Sequence, residues 1–273
     1  MSQSRPRPFE KVPDSDPAVS FLRASYPQHL FEPSKARQDG NVFVTLTYAQ
    51  SLDAKIAGKG GKQLILSGKQ SMELTHRMRE LHDSILVGAG TMLNDDPQLN
   101  ARIPSLLPVE YQPTPIVLDR DLRTPPDCKL LKNYQAGIGK APVIVSDSSR
   151  HVEGSDPKQK NLEKAGAILF KVPFDSRGHL SLETLLDTPA LQEYLGRSLM
   201  IEGGSSIISG FLPSPKVDLV VATVAPIYVG DGVDLIRPGT QVPELEHVRT
   251  QIFGRDTVFA SKPKRREGKT DRP

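Results

Sequence analysis

Short runs of apolar and β-branched residues recur along the chain and have the length of buried strands. In the first run, residues 41–50, the apolar positions Val42, Val44 and Leu46 alternate with others, which predicts a central strand. Further strands are predicted for residues 63–67, 84–87, 115–119, 141–146, 167–172, 198–202, 216–226 and within 249–261.

Amphipathic segments lie between these runs and predict helices. Residues 17–30 predict a short helix, and Ser67 is the predicted N-cap of a helix over 68–82. Residues 181–195 and 205–212 predict two more. Strands that alternate with helices predict a three-layer α/β/α fold with a mixed, mostly parallel sheet. Because no helix separates the last two strands, we expect an antiparallel finish at one edge of the sheet.

The length of 273 residues fits one large α/β domain or two small ones, and no internal linker divides it. We predict a disordered N-terminal tail over 1–15, a single domain over 16–261 and a disordered basic tail over 262–273. The formal net charge of +3 is too small to indicate nucleic acid by itself. The basic segment KPKRRE in the last tail leaves a nucleic-acid or nuclear-import patch as an alternative to a solvated tail.

Cys128 is the single cysteine, so the sequence predicts neither an internal disulfide nor a cysteine-rich zinc site. The chain has no apolar run of about 18 residues, and its first residues lack the apolar middle of a secretory signal. We therefore expect a cytoplasmic protein without a membrane span. Asp95 and Asp96 are adjacent carboxylates, but no histidine or third acid stands at ligand spacing, and no metal is expected.

Two predicted strands run directly into glycines. The first leads into Gly88-Ala89-Gly90-Thr91, where small residues let backbone N–H groups approach a ligand. It is not a Rossmann fingerprint, because the third glycine of that pattern would fall at Leu93. Spacing alone therefore leaves a plain strand-to-helix turn as an alternative to a nucleotide site.

The second glycine turn follows residues 198–201, where Glu202 stands at the end of a predicted strand. Gly203 and Gly204 come next, and Ser205 and Ser206 open a helix. Ligands of open α/β sheets bind at the carboxyl ends of strands, so Glu202 could accept hydrogen bonds from an amino-substituted ring. A capped turn without a ligand remains the alternative. The nucleophile-elbow, P-loop and H-E-x-x-H patterns are absent from the sequence, which weakens hydrolase and kinase interpretations.

Five segments in register resemble the pyrimidine reductases of riboflavin biosynthesis across about residues 41–260. They are SLDAKIA, LILSG, RELHDSILVGAGTMLNDDPQLNAR, LMIEGGSSIISGFL and APIYVGDG. The resemblance implies a dihydrofolate-reductase-like fold, a homodimer and NADPH as the hydride donor. It also implies reduction of 2,5-diamino-6-ribosylamino-4(3H)-pyrimidinone 5′-phosphate to the ribitylamino product. The zinc deaminase signature is absent, so the stand-alone, fungal-type members fit better than the bifunctional bacterial ones.

The resemblance also implies which residues contact each ligand. For the cofactor these are Ala49, Ile65, Ser67, Thr91, Asp95, Gly203, Gly204, Ser205 and Ser206. For the substrate they are Gln63, Arg79, Leu99, Arg102 and Glu202.

The roles expected of these side chains differ in how much the sequence supports them. Arg79 and Arg102 are candidate clamps for the substrate's 5′-phosphate, although Arg79 could equally lie on a solvated helix face. Glu202 is the expected catalytic residue, which binds the pyrimidine amino groups or steers proton transfer. Asp53 and Lys55 are expected to shape the site or to face the substrate, with a solvated surface turn as the alternative.

The sequence departs from the bacterial pattern at two further positions. Ile65 stands where bacterial members often have tryptophan, and Ala54 replaces a frequent glycine. A dihydrofolate-type pterin reductase on the same fold is the alternative enzyme. The absence of tryptophan and of an acidic residue in a convincing pterin-binding helix counts against that alternative.

Overall fold

The computed structural model describes residues 12–32, 41–150 and 156–264, and its main feature is a nine-stranded sheet. The strands of the described residues are β1 (Phe43–Gln50), β2 (Lys55–Gly58), β3 (Ser84–Gly88), β4 (Thr114–Leu118), β5 (Val143–Asp147), β6 (Ile168–Val172), β7 (Ser198–Glu202), β8 (Leu219–Val224), β9 (Gly232–Asp234), β10 (Leu245–Phe253) and β11 (Asp256–Pro263). The small pair β2–β9 stands apart from the main sheet.

The main sheet has the strand order β10-β11-β8-β1-β7-β3-β4-β5-β6. In this order, the seven neighbouring strands β8, β1, β7, β3, β4, β5 and β6 pair in parallel with one another. Strand β11 pairs antiparallel with both β8 and β10. The predicted mixed, mostly parallel sheet is therefore confirmed, as is its antiparallel finish at one edge. Strand β1 lies inside the sheet, where Val44 and Leu46 pack in the second core and Phe43 packs in the first, on the opposite face.

Helices cover both faces of this sheet and give the three layers that the sequence predicts. They are α1 (Pro17–Ser25), α2 (Lys69–Leu81), α3 (Ala89–Asp95), α4 (Lys129–Gln135), α5 (Pro157–Ala165), α6 (Leu182–Leu186), α7 (Gln192–Leu195) and α8 (Ser205–Phe211). Apolar side chains of α1 to α5 form one core with one face of the sheet. Those of α6 to α8 form a second core with the other face.

Three predicted elements differ in the structure. Residues 63–67 form no strand; they run along a cleft, while the preceding β2 pairs with β9. The predicted N-cap at Ser67 is wrong, because α2 begins at Lys69 with Gly68 before it. The predicted helix 181–195 breaks where Pro189 starts a 3-10 turn between α6 and α7, since proline lacks the N–H that would continue a helix.

The predicted ends of the domain also shift. Val12 packs against the first core and Asp14 pairs with Arg23 at 2.7 Å, so ordered chain begins before residue 16. At the other end, strand β11 continues through Lys262 to Pro263 because these residues pair with β10. The remaining parts of the two predicted tails, residues 1–11 and 265–273, lie outside the described residues.

Candidate active site

The two glycine turns of the sequence meet in space. Strands β3 and β7 are parallel neighbours with Leu86 opposite Ile201, so both turns leave the same edge of the sheet. A Cβ added to Gly88 would lie 2.8 Å from Ile207 Cγ1, and one added to Gly204 would lie 3.1 Å from Thr91 Oγ1. The turns thus pack directly on each other, which is the physical reason for glycine at these two positions.

A cleft of about 1350 Å³ runs along this edge of the sheet. Every position that the resemblance implies for the cofactor lines it. These are Ala49, Ile65, Ser67, Thr91, Asp95, Gly203, Gly204, Ser205 and Ser206. Of the positions implied for the substrate, Gln63, Arg79 and Glu202 line the same cleft. Residues from five separate segments therefore converge on one cavity.

Two residues that are predicted to contact the substrate are not among those that line the cleft. Leu99 is 1% exposed and belongs to the first hydrophobic core, so its side chain cannot reach a ligand in the cleft. Arg102 does not line the cleft; its Nη1 donates to Asn100 Oδ1 at 2.9 Å. Burial and the nearby charge of Arg79 lower the pKa of Arg102, and the nearby charge of Glu202 opposes this shift.

Arg79 and Glu202 form a two-pronged ion pair in the cleft. Arg79 Nε donates to Glu202 Oε1 at 2.7 Å, and Nη2 donates to Oε2 at 2.8 Å. The Asn100 carbonyl accepts from Nη1 at 3.2 Å, which fixes the guanidinium from its other side. The Arg79 side chain is only 9% exposed, so the alternative of a solvated helix face is wrong. This arrangement orients the Glu202 carboxylate and leaves its remaining lone pairs for a ligand.

The helix that carries Arg79 is held by a distant carboxylate. Gly68 N–H donates to Asp256 Oδ2 at 2.6 Å, and the Ser71 hydroxyl donates to the same oxygen. Asp256 follows the turn between β10 and β11 and is fully buried. This cap could not be predicted from the sequence, because no local pattern links residues that are 188 positions apart.

His76 lies behind the ion pair and is kept neutral by its surroundings. Burial and the neighbouring charges of Arg79 and Arg102 together lower the pKa of His76 to about 3. Its Nδ1 accepts from the Arg102 backbone N–H at 3.1 Å. Nε2 has no hydrogen-bond partner among the described residues. The His76 ring thus holds the backbone of Arg102, next to the segment whose Asn100 carbonyl accepts from Arg79.

Asp53 and Lys55 lie outside the cleft lining and fasten the small β2–β9 sheet beside it. Asp53 accepts from the Ser51 hydroxyl at 2.5 Å and from the Gly230 N–H at 2.7 Å, and these bonds lower its pKa to about 2. Lys55 Nζ pairs with Asp234. Ile56 and Ala57 of β2 line the cleft, so the contacts of Asp53 and Lys55 hold one wall of the cleft in place.

A group of polar residues in the cleft was missed by the sequence analysis. It comprises Asn94, Arg120, Arg123, Arg177 and His179. Arg120 and Arg123 follow β4, whose place next to β3 depends on the strand order and not on any local motif. Their position after a strand end was the one signal available.

Within the described ranges, the structure has neither a cluster of metal-ligating side chains nor a membrane-spanning helix. No group of three or more histidine, cysteine or acidic side chains there could hold a metal ion. No helix there combines the length and the apolar character that crossing a membrane requires.

Comparisons with known proteins agree with this geometry. Residues 42–259 match the family model described as the RibD C-terminal domain. The chain is 36% identical over 210 residues to the 2,5-diamino-6-ribosylamino-4(3H)-pyrimidinone 5′-phosphate reductase of Candida glabrata, covering 74% of this chain and 82% of that protein. It is 34% identical over 227 residues to the reductase of the same name from Eremothecium gossypii, covering 81% and 87%.

A solved structure with a similar fold is the riboflavin biosynthesis reductase Rib7 of Saccharomyces cerevisiae. The TM-score is 0.67 at 24% identity, over 90% of this chain and 98% of that one. Because the family model matches most of the chain and several fungal reductases exceed 30% identity over most of their length, the chain belongs to the RibD C-terminal domain family of riboflavin-pathway reductases.

Proposed function

We propose that this chain uses NADPH to reduce the ribosylamino group of 2,5-diamino-6-ribosylamino-4(3H)-pyrimidinone 5′-phosphate to a ribitylamino group. The observation that carries the proposal is the Arg79–Glu202 pair, which faces the same cleft as the two packed glycine turns. The relatives from Candida glabrata and Eremothecium gossypii are named for this substrate.

The cleft has room for a dinucleotide and a second ligand. Cavities that hold one drug-sized molecule measure roughly 300–1,000 Å³, and this cleft measures about 1350 Å³. At Gly90 an added Cβ would meet no atom within 4 Å, so this turn is open to the cleft rather than filled by protein. The residues around it, Thr91, Asp95 and the Gly203–Ser206 turn, are the proposed cofactor contacts. When bound, a reduced nicotinamide would supply hydride.

The reaction requires the sugar ring to open to an imine, whose first carbon gains a hydride and whose nitrogen gains a proton. The residues of this chain bind and orient the acceptor for that step. Both Glu202 oxygens already accept from Arg79, so further N–H donors must approach their outer lone pairs. The amino groups of a diaminopyrimidine are such donors. We therefore assign Glu202 to binding the ring.

This geometry changes the role proposed for the arginines. Arg79 directs its Nε and Nη2 at Glu202 and its Nη1 at Asn100, so it is a positioning residue for the carboxylate. Arg102 Nη1 donates to Asn100 Oδ1, so Arg102 supports the residue whose carbonyl accepts from Arg79, and it remains a proposed contact to the substrate. Gln63 remains a proposed direct contact to the substrate.

The test compares Glu202→Gln with wild type in NADPH oxidation driven by the pyrimidine substrate. We expect kcat/KM to fall by about 10-fold or more, because ring binding loses a hydrogen bond to a charged group, which contributes about 1.5–3 kcal/mol. NADPH binding should stay within about 3-fold, which corresponds to under ~1 kcal/mol. Glu110→Gln, an exposed change outside the cleft, is the matched control.

Two outcomes would contradict the proposal. One is a kcat/KM for Glu202→Gln within about 3-fold of wild type, which would remove Glu202 from the reaction. The other is faster NADPH oxidation with dihydrofolate than with the ribosylaminopyrimidine, which would favour the pterin reductase instead.

A homodimer in the cytoplasm completes the proposal. Ile252 is 70% exposed and Phe259 is 38% exposed, and both lie on the outer face of the β10–β11 hairpin. Exposed apolar pairs at a sheet edge favour self-association. Analytical ultracentrifugation should show a dimer for wild type and a monomer for Ile252→Glu. A monomeric wild type would refute the dimer, and subcellular fractionation tests the location.

A further inference from the structure

A buried glutamine outside the cleft lining holds the backbone that supports the Arg79–Glu202 pair. Gln112 is 1% exposed and does not line the cleft. Its Oε1 accepts from the Ala101 N–H at 2.8 Å, and its Nε2 donates to the Ala101 carbonyl at 3.0 Å. Nε2 also donates to the Leu107 carbonyl at 2.9 Å. One side-chain amide therefore binds both polar groups of a single backbone residue.

The peptide unit between Asn100 and Ala101 is held at both of its ends. Its N–H donates to Gln112 Oε1, and its carbonyl accepts from Arg79 Nη1 at 3.2 Å. The peptide bond is trans, so its N–H and its carbonyl point in opposite directions. Gln112 and Arg79 therefore bind the same planar group from opposite sides, and a rotation of that plane would break both hydrogen bonds.

The next peptide unit is held in the same way. The Ala101 carbonyl accepts from Gln112 Nε2. The Arg102 N–H, at the other end of this unit, donates to His76 Nδ1 at 3.1 Å. Ala101 and His76 are both buried, so water cannot replace these partners. The backbone over residues 100–102 is therefore fixed in one orientation.

Arg79 transmits this orientation to the carboxylate. Its guanidinium is planar and rigid, and it donates to the Asn100 carbonyl with one nitrogen and to Glu202 with the other two. A shift of the carbonyl would therefore turn the whole guanidinium relative to the carboxylate. We propose that Gln112 is a positioning residue for the reduction, because it orients the peptide unit that directs Arg79 toward Glu202. This inference rests on the proposed function.

A purely structural role is the alternative, since Gln112 also helps to close the loop over residues 101–107. A loss of stability alone lowers the fraction of folded enzyme and leaves the kinetics of each folded molecule unchanged. A positioning role lowers kcat/KM for the pyrimidine in the folded molecules. It leaves the affinity for NADPH unchanged, because Gln112 contacts Ala101 and Leu107 rather than the residues proposed for the cofactor.

The test is Gln112→Met in the full chain, a change that keeps the length of the side chain and removes its hydrogen bonds to Ala101 and Leu107. NADPH oxidation with the pyrimidine gives kcat and KM, calorimetric titration gives the Kd for NADPH, and circular dichroism gives the folded fraction. We expect kcat/KM per folded molecule to fall by about 10-fold or more, since a misplacement of about 1 Å can cost about 100-fold. The Kd for NADPH should stay within about 2-fold of wild type.

Ser84→Ala is the matched control for lost stability. Ser84 is buried, and its Oγ donates to the Leu195 carbonyl at 2.8 Å at the amino end of β3, away from the Gly88 turn. This variant also loses a buried hydrogen bond from a side chain to the backbone, so its stability should fall. Its kcat/KM per folded molecule should stay within about 2-fold of wild type.

Gln112→Asn replaces Gln112→Met if the latter does not fold. The asparagine side chain is one methylene shorter and cannot reach both polar groups of Ala101, so the same loss of kcat/KM is expected. A double-mutant cycle then tests whether Gln112 acts through Glu202. In the Glu202→Gln enzyme, the Gln112 change should lower kcat/KM by no more than about 2-fold, because the carboxylate that it positions is already lost.

Four outcomes would overturn the proposal. They are the full loss of about 10-fold in the Glu202→Gln enzyme, a kcat/KM for the Gln112 variant within about 2-fold of wild type, an equal loss in Ser84→Ala, and an equal weakening of NADPH binding. A wild type that does not oxidise NADPH with the pyrimidine would instead refute the proposed function itself.

Discussion

The Asp256 carboxylate fastens the beginning of α2 to the antiparallel edge of the sheet, and its removal should destabilise the protein strongly. Its Oδ2 accepts from Gly68 N–H at 2.6 Å and from the Ser71 hydroxyl. Asp256→Ala would remove both bonds and leave two donors facing a cavity. Because α2 carries Arg79, the same change also loosens the support of the ion pair.

The size of the effect follows from these contacts. Hydrogen bonds to a charged group contribute about 1.5–3 kcal/mol each, so the loss of two predicts at least about 3 kcal/mol. For a chain of this size, 1 kcal/mol shifts Tm by about 2–4 °C, which predicts a decrease of about 6–12 °C. Ser71→Ala removes one of the two bonds and should cost about half as much. Asp256→Asn keeps an acceptor without the charge and should fall between them.

Urea unfolding followed by circular dichroism measures these differences as shifts of the midpoint at constant slope. Equal midpoints for Asp256→Ala and Ser71→Ala would show that the Gly68 bond contributes nothing. A loss below about 1 kcal/mol for Asp256→Ala would refute the assignment of this carboxylate as the cap, since a buried charged bond contributes more than that.

Three further predictions concern the Arg79–Glu202 pair, His76 and two glycines. Glu202→Gln leaves the largely buried Arg79 guanidinium without its charged partner and should lower the free energy of unfolding by about 2–4 kcal/mol, measured with urea. The double variant that also carries Arg79→Met should regain part of this loss. A coupling energy below about 0.5 kcal/mol in that cycle would contradict the pair. The pKa of His76 is about 3 in the folded chain and 6.5 for an unperturbed histidine, so between these two pH values the unfolded chain binds a proton that the folded chain does not. The contribution of His76 to stability is therefore fully present above pH 6.5 and decreases as the pH falls toward 3. The slope reaches up to about 1.4 kcal/mol per pH unit, and His76→Gln should flatten it in pH-dependent unfolding. Gly196→Ala places a Cβ 2.6 Å from Asp83 Cβ at a φ of +66° and should cost at least about 2 kcal/mol. Gly210→Ala meets no atom within 4 Å in α8 and should instead stabilise by about 0.5–1 kcal/mol, and similar Tm values for the two variants would refute this reasoning.

The sequence predicted the elements whose burial pattern is regular. The alternation in residues 41–50 and the apolar run at 84–87 correctly predicted strands, because the apolar side chains that face a core leave a pattern in the local sequence. The same principle failed at residues 63–67, where Ile65 is 85% exposed along the cleft. A segment of apolar residues along a cleft can therefore have the composition of a strand although its backbone pairs with no other strand.

The candidate site likewise has features that the sequence predicted and features that only the tertiary structure shows. Glu202 and the two glycine turns could be found because each follows a strand end within a few residues. The Arg79–Glu202 contact joins residues 123 positions apart, and the capping of α2 by Asp256 joins residues 188 apart. The arginines after β4 belong to the cleft because β4 pairs with β3. Local periodicity determines which face of an element is buried, but the order of strands depends on how the chain crosses over, and that is settled by packing across the whole sheet.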